Sequence, residues 1–253
     1  MAHSYETIKA AGGDTATPLN LQKRLKLMAN WIRPEAGALL DCGCGAGEYV
    51  AAFIDDYGLR AEGLEYLQDK VAQAKASNPH ADHVQQGDIE AIQFPDQSFD
   101  YALVNEVLEH VPNESKALKE VNRILRNKGR LFLFSPNRWY PFETHGVFLK
   151  RSNRKLPPYT PFIPWLPVRL GKRWIHYWAR NYWPRELAAL VRGAGFQVLE
   201  HTYIWQTFEN ISGTQPAPIR VARPMLRAIA QMGERMPLVR HMGCSQVIIA
   251  EKV

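Results

Sequence analysis

Three glycines at alternate positions, Gly43, Gly45 and Gly47, follow an apolar run, Ala38-Leu39-Leu40, that ends in Asp41. Where a buried strand turns into a helix, backbone N–H groups lie free, and glycine lets a ligand approach the backbone closely. Such a turn suits the anionic or zwitterionic tail of a ligand. The spacing is G-x-G-x-G rather than G-x-G-x-x-G, and Glu48 stands where the last glycine of the dinucleotide fingerprint would be. A carboxylate there would repel a pyrophosphate, which counts against a nicotinamide dinucleotide. Alone, the loop is also compatible with a tight strand–helix turn that binds nothing. Two acids further along change that balance. Glu65 closes a second strand-like segment, where an acid can accept from ribose hydroxyls. Gly87-Asp88-Ile89 ends a third, where Asp88 can accept from an adenine amino group. Groups at successive strand ends line one crevice on the carboxyl edge of a parallel sheet, and this set predicts a site for an adenosine-bearing ligand.

The elements that must hold these groups follow from periodicity. Leu21, Leu25, Met28, Ala29 and Ile32 predict a helix over Pro18 to Arg33, stopped by Pro34. After the glycine turn, Glu48 to Tyr57 reads as a helix, Arg60 to Glu65 as a strand, Leu67 to Ala76 as a helix and His83 to Gln86 as a strand. Phe99 to Val104 is a fourth strand, Glu114 to Arg126 a helix, Asn127-Lys128-Gly129 a turn and Arg130 to Ser135 a fifth strand. A helix from Pro184 to Ala194, a strand from Phe196 to Ile204 and a last strand from Gln246 to Glu251 complete the pattern. Strand–helix alternation predicts an α/β, doubly wound, mostly parallel sheet covered on both faces. The chain of 253 residues is read as a single domain, with 136–183 as an inserted lid and 207–242 as a long connection holding a helix near Val221 to Met232.

Leu40-Asp41-Cys42-Gly43-Cys44-Gly45-Ala46-Gly47 resembles the first motif of class I S-adenosylmethionine-dependent methyltransferases. Glu65, Asp88 and the run Phe94-Pro95-Asp96-Gln97-Ser98-Phe99-Asp100 resemble the later motifs. Asn105-Glu106-Val107-Leu108-Glu109-His110-Val111 is similar to the segment after the fourth strand in the ubiquinone-biosynthesis-like subgroup. The resemblance is close over 25–137 and loose over 183–253. It implies a Rossmann-like seven-stranded sheet of order 3-2-1-4-5-7-6, with only the last strand antiparallel, and S-adenosylmethionine as cofactor. It also implies roles. Asp41 orders the loop and approaches the cofactor's amino group through water, Gly43, Gly45 and Gly47 admit the methionine part, and Glu65 holds the ribose. Asp88 and Ile89 flank the adenine, while Asn105 and Val107 contact the methionine end.

Methyl transfer from a sulfonium needs mainly a well-placed nucleophile, and a base only where the acceptor must lose a proton. Candidates for that base are His145 with Glu143 as its orienting carboxylate, and His110 after the fourth strand. Asn137, Trp139 and Tyr140, beyond the fifth strand, are candidates to bind the acceptor. The chain carries 31 Lys and Arg against 25 Asp and Glu. Between Thr144 and Arg185 there are nine Lys/Arg and no acid, which leaves the remainder slightly acidic, with 22 against 25. This basic segment is rich in Trp, Tyr and Pro. It reads as an acceptor lid with some membrane-surface contact, in which Val168 to Tyr182 would form a helix on anionic lipid. RNA binding is the competing reading, but no RNA-binding module is recognisable. The expected reaction is O-methylation of a small-molecule, sugar or lipid-linked acceptor. N- or C-methylation, RNA methylation and a non-catalytic cofactor-binding protein are the alternatives. Three cysteines, Cys42, Cys44 and Cys244, give no disulfide framework, and no metal set is expected. No apolar stretch reaches the roughly 20 residues of a spanning helix, and Met1 is followed by polar residues. A cytoplasmic location, peripheral to the inner face of a membrane at most, is the expectation.

Overall fold

A computed structural model of the chain describes residues 18–32, 37–143, 147–156, 160–171, 173–177, 179–209 and 217–253. Its elements in chain order are α1 (Pro18–Ala29), β1 (Ala38–Cys42), α2 (Glu48–Tyr57), β2 (Arg60–Glu65), α3 (Gln68–Ser77), β3 (Val84–Gln86), β4 (Phe99–Asn105), α4 (Glu114–Ile124) and β5 (Leu125–Pro136). Then come β6 (Val147–Leu149), α5 (Val168–Gly171), β7 (Ile175–Tyr177), α6 (Pro184–Gly193), β8 (Phe196–Ile204), α7 (Ala217–Arg235) and β9 (Ser245–Lys252). Seven strands form one sheet in the order β3-β2-β1-β4-β5-β9-β8. The pairs β1–β2, β1–β4, β2–β3 and β4–β5 are parallel, and the sheet is mixed, with antiparallel strands at its C-terminal edge. With the small β6–β7 pair left out of the count, this is the predicted order 3-2-1-4-5-7-6.

The chain divides into two compact units. The first comprises Leu21–Ser135, Arg185–His201 and Val247–Val253, and is the α/β unit. Its core follows from continuous apolar strands. Leu39 and Leu40 of β1, Leu103 of β4 and Phe132 and Leu133 of β5 are fully buried, as befits strands covered on both faces. Tyr101 and Phe132 stack with ring centroids 5.9 Å apart. Ala117, Leu118, Val121 and Ile124 form the buried stripe of α4, whose start is capped by the Asn113 side chain accepting from the Lys116 N–H at 3.0 Å. Arg123, on the same helix, donates to the carbonyls of Ile92 (2.7 Å) and Phe94 (2.9 Å) and to the carboxylates of Asp96 and Glu120. One guanidinium thereby fixes the Phe94–Asp100 run.

Two boundaries differ from expectation. Helix α1 stops at Ala29 because Trp31 leaves it: its indole donates to Glu200 at 3.2 Å, its carbonyl accepts from Arg130, and the Arg130 guanidinium lies 5.5 Å over the indole ring. The expected turn at Asn127-Lys128-Gly129 is a bulge inside β5. Phe99 pairs with Leu125 but Tyr101 with Arg130, and Lys128 takes a left-handed φ of 60° to absorb the extra residues.

The second unit comprises Met1–Asn20, Pro136–Pro184 and Thr202–Gln246. The stretch 136–183, read from the sequence as a lid, and the stretch 207–242, read as a connection, both fall in this unit. Its joint is Asn137, whose side-chain N–H groups donate to the carbonyls of His241 (2.8 Å) and Gly243 (2.7 Å) while its own N–H donates to Cys244. Gln246 donates to the Tyr182 carbonyl at 2.9 Å, and Tyr182 is fully buried. The helix expected over Val168 to Tyr182 is only the four-residue α5. Beyond it, Ile175-His176-Tyr177 pairs antiparallel with Val147-Phe148-Leu149, as β-branched and aromatic residues prefer. Glu209 accepts from the N–H groups of Leu19 (3.0 Å) and Asn20 (2.9 Å), placing a negative charge at the start of α1.

Asp100 joins two strand starts in the α/β unit. Its Oδ2 accepts from the Ala38 N–H at 2.8 Å and from Arg126 at 2.5 Å. Burial alone would raise its carboxyl, but these two bonds outweigh burial and hold it below the usual carboxylate range. A depressed native value means that the contribution to stability is complete above about pH 4 and fades as pH falls through the folded value. Asp100→Asn should therefore lower the urea midpoint at pH 7, by about 1 kcal/mol. The gap between variant and natural protein should narrow in urea titrations repeated down to about pH 3.

Candidate functional site

The carboxyl ends of β1 and β2 meet at the glycine turn. The N–H groups of Gly43 and Cys44 both donate to the Leu64 carbonyl, at 2.6 and 3.1 Å, so the turn is pinned to β2 as it leaves β1. Gly43 adopts φ +86°, and a Cβ placed there would lie 2.3 Å from Val107 Cγ2. Both the backbone and the neighbour demand glycine. Gly45, at φ +60°, is the opposite case, since a Cβ there would meet nothing within 4 Å. The loop thus presents bare backbone to open space at Gly45. Gly47 directly precedes α2, also with positive φ. Glu65 ties the loop to the next element: one oxygen accepts from the Gly45 N–H and the other from the Leu67 N–H, both at 2.8 Å.

Asp41 is the residue that this arrangement does not satisfy. It is 1% exposed, and neither carboxylate oxygen has a hydrogen-bond partner among the described residues. Burial first, then the charges of Glu65 and Glu48, push its carboxyl well above the ordinary carboxylate range. Burial also raises Glu65, although the N–H bonds from Leu67 and Gly45 counter it. A buried acid with acidic neighbours is costly in isolation and marks a place prepared for a cation. The cradle therefore fits the methionine end of S-adenosylmethionine, which carries an ammonium and a sulfonium. Burial pushes the Cys42 and Cys44 thiols up as well, so they remain protonated packing groups.

The other candidates in the α/β unit sit at neighbouring strand ends. Asp88 is half-buried, its Oδ1 accepting from the Glu90 N–H at 2.8 Å, and Ile89 beside it is buried. Val107 is the side chain packed against Gly43. Asn105 is buried at the end of β4 with its side-chain oxygen bonded by Arg24. Arg24 is a participant that sequence reading missed. Its guanidinium is buried, pairs with Glu106 at 3.0 Å and lies 4.9 Å over the Phe134 ring. Its position, three residues after Leu21 and four before Met28, places it on the inner stripe of α1, where a charge demands a partner. Glu106 takes a left-handed φ of 55° between Asn105 and Val107, and Glu109 is buried. Burial and the charge of Glu106 hold the Glu109 carboxyl well above its usual range. His110 is half-buried, with its N–H donating to the Val107 carbonyl.

The acceptor candidates lie in the second unit. The Asn137 amide spends both N–H bonds on backbone carbonyls and its oxygen accepts from the Trp139 N–H at 3.1 Å. Asn137 therefore anchors the loop after β5, and an acceptor hydroxyl could claim its donors only by breaking that joint. Trp139 is 47% exposed, stacked edge-on to Trp183 at 5.3 Å, whereas Tyr140 is buried. Glu143 is buried and accepts from the Asn181 amide at 3.3 Å. His145 lies outside the described residues, so its pairing with Glu143 is not described. His80 and His83 pair separately, with Asp55 and Glu62, rather than sharing a site.

Comparison with known proteins agrees with this geometry. Residues 40–133 match the family described as Methyltransferase domain. A protein of Mycolicibacterium smegmatis named as a probable S-adenosylmethionine-dependent methyltransferase is 34% identical over 100 residues, covering 40% of this chain and 38% of that protein. The chain thus spans well under two thirds of that relative's length. A demethylmenaquinone methyltransferase of Staphylococcus carnosus is 27% identical over 195 residues, covering 70% of this chain and 75% of the relative. Among solved structures, an S-adenosylmethionine-dependent methyltransferase from Mesorhizobium loti superposes with a TM-score of 0.56 at 18% identity, covering 90% of this chain and 96% of that one. Residues 40–133 thus match a methyltransferase domain, and the sheet order around them is that of the class I S-adenosylmethionine-dependent methyltransferase fold.

Proposed function

We propose that this chain transfers a methyl group from S-adenosylmethionine to a hydroxyl of a small-molecule, sugar or lipid-linked acceptor. The observation that carries the cofactor half of this reading is Asp41, buried and unpartnered among the described residues, beside the open backbone at Gly45. S-adenosylmethionine would supply an activated methyl carbon on a positively charged sulfur. The protein's share is to hold charge and orientation. Asp41 offers the negative charge for the ammonium end, Glu65 is fixed by two backbone N–H groups for the ribose, and Asp88 and Ile89 serve the adenine. The likeness to a demethylmenaquinone methyltransferase favours a small-molecule acceptor. For a hydroxyl acceptor, His145 would take the proton, and Glu143, buried in the second unit, would orient it. Membrane-surface contact through 150–185 would give such a site access to lipid-linked substrates.

Calorimetric titration with S-adenosylmethionine tests the cofactor site. Asp41→Asn should weaken binding about tenfold to a hundredfold, as loss of a charge-assisted bond does. Gly45→Val should abolish it by filling the open space and straining the positive φ. No binding by the natural protein would end this reading. The pH dependence has a definite sign. A cation beside Asp41 favours its ionised form, so binding releases a proton wherever free Asp41 is protonated. Affinity should rise as pH passes up through the raised folded value and then level off, and Asp41→Asn should flatten that slope. In the ligand-free protein the same raised value means that stability falls as pH climbs from about 4 toward the folded value. Once a methyl acceptor is found, His145→Ala should cut kcat roughly a hundredfold or more with cofactor affinity intact; an unchanged kcat would remove His145 from the reaction.

A further inference from the structure

Helix α7 is built inside out for a water-soluble fold. Its inward side carries mainly small and polar groups with half-buried Leu226: Ala230 is buried, and Gly233 approaches Trp205 so closely that a Cβ would lie 3.0 Å from the indole. Glu234 accepts from the Trp205 N–H at 3.3 Å, and Arg227 donates to the Thr207 carbonyl at 2.9 Å. These contacts fix which face points in. On the other side stand Val221, Met225, Ile229, Met232 and Met236, at 81, 60, 54, 63 and 50% exposure. Their spacing of four, four, three and four residues keeps them on one narrow stripe, about 80° wide at 100° per residue. Leu238, just beyond, is 90% exposed. Arg235 is exposed on the flank of the stripe, Arg223 is exposed on the opposite side near the start of the helix, and the helix's one acid, Glu234, is tied to Trp205.

The same character extends over the whole second unit. Apart from Tyr66 and Val253, every exposed large apolar side chain among the described residues belongs to it, including Phe162, Trp165, Leu170 and Trp174. Its segments hold 15 Lys/Arg against 5 Asp/Glu, whereas the α/β unit holds 16 against 20. Apolar stripe, cationic flank and cationic surroundings together select a surface that is greasy within and anionic without. No described helix is long and apolar enough to cross a membrane, so α7 would lie in the interface rather than span it.

We infer that α7 is an interfacial helix that docks the second unit on an anionic lipid bilayer, with Val221, Met225, Ile229, Met232 and Met236 inserted among the acyl chains. This inference does not depend on methyl transfer, because vesicle binding is read without cofactor or acceptor. The test is flotation of the full chain with vesicles of phosphatidylcholine alone and of phosphatidylcholine with phosphatidylglycerol. The natural protein should float with the mixed vesicles and far less with the neutral ones. Replacing Met225, Ile229 and Met232 together by Ser should lower the partition coefficient about tenfold or more. Replacing Arg235 by Gln should weaken binding to anionic vesicles alone. Circular dichroism and unchanged S-adenosylmethionine affinity would establish that the variants are folded; if the Ser variant fails to fold, Ile229→Asn is the substitute. Failure of the folded natural protein to float, or flotation that the Ser variant leaves unchanged, overturns the inference. So does a dimer that the Ser substitutions dissociate while vesicles bind neither protein, because the stripe then belongs to a second copy.

Discussion

An acid sealed at the end of the central strand is the constraint around which the α/β unit is arranged. Asp41 is carried there by β1, whose neighbours on both sides are parallel strands, and only 1% of it is exposed. The turn that follows is held by main-chain bonds to Leu64 and by the two-handed grip of Glu65. None of these supplies positive charge to Asp41. Rigidity and frustration are thus set side by side, and a fold that keeps such a group uncompensated has a reserve of binding energy for whatever cation relieves it.

The second unit obeys a different logic. Beside buried Tyr182, Val147 and Ile204, side chains bonded to the backbone join its segments, Asn137 to His241 and Gly243 and Gln246 to Tyr182. Aromatics that cannot be buried in so small a body remain at its surface, where Arg138 lies 5.1 Å over Trp183 and Trp165 donates to the Trp139 carbonyl. Cation–π contacts and edge-on stacking keep such side chains ordered without hiding them.

Much of the α/β unit was legible because its signals are local. Glycines at alternate positions, acids at strand ends and the 3.6-residue stripe of α4 each announce themselves within a few residues, and β2, β8 and α2 fall on their expected bounds. What escaped was set by distant partners. No window around Trp31 shows that Glu200 and Arg130 will end α1 there. The β6–β7 pair joins residues almost thirty positions apart, so Ile175-His176-Tyr177 looked helical until its partner strand was known. Asn137 looked like a ligand because it follows a strand end, and only the return of 241–244 shows its donors spent on the backbone. Arg24 could have been found, since an arginine on the inner stripe of a helix must have a buried partner.

Arg24 also makes α1 part of the machinery at a distance. Its guanidinium grips Asn105 and Glu106, the two residues before Val107, and Val107 is the side chain that rests on Gly43. Glu106 holds a backbone conformation that glycine would adopt with less strain, so it is retained there against local preference by the pair it makes. Seating of the N-terminal helix and shape of the glycine turn are therefore thermodynamically linked. Whatever occupies the turn will slow hydrogen exchange along α1, and whatever loosens α1 will, by reciprocity, loosen the grip of the turn on its ligand.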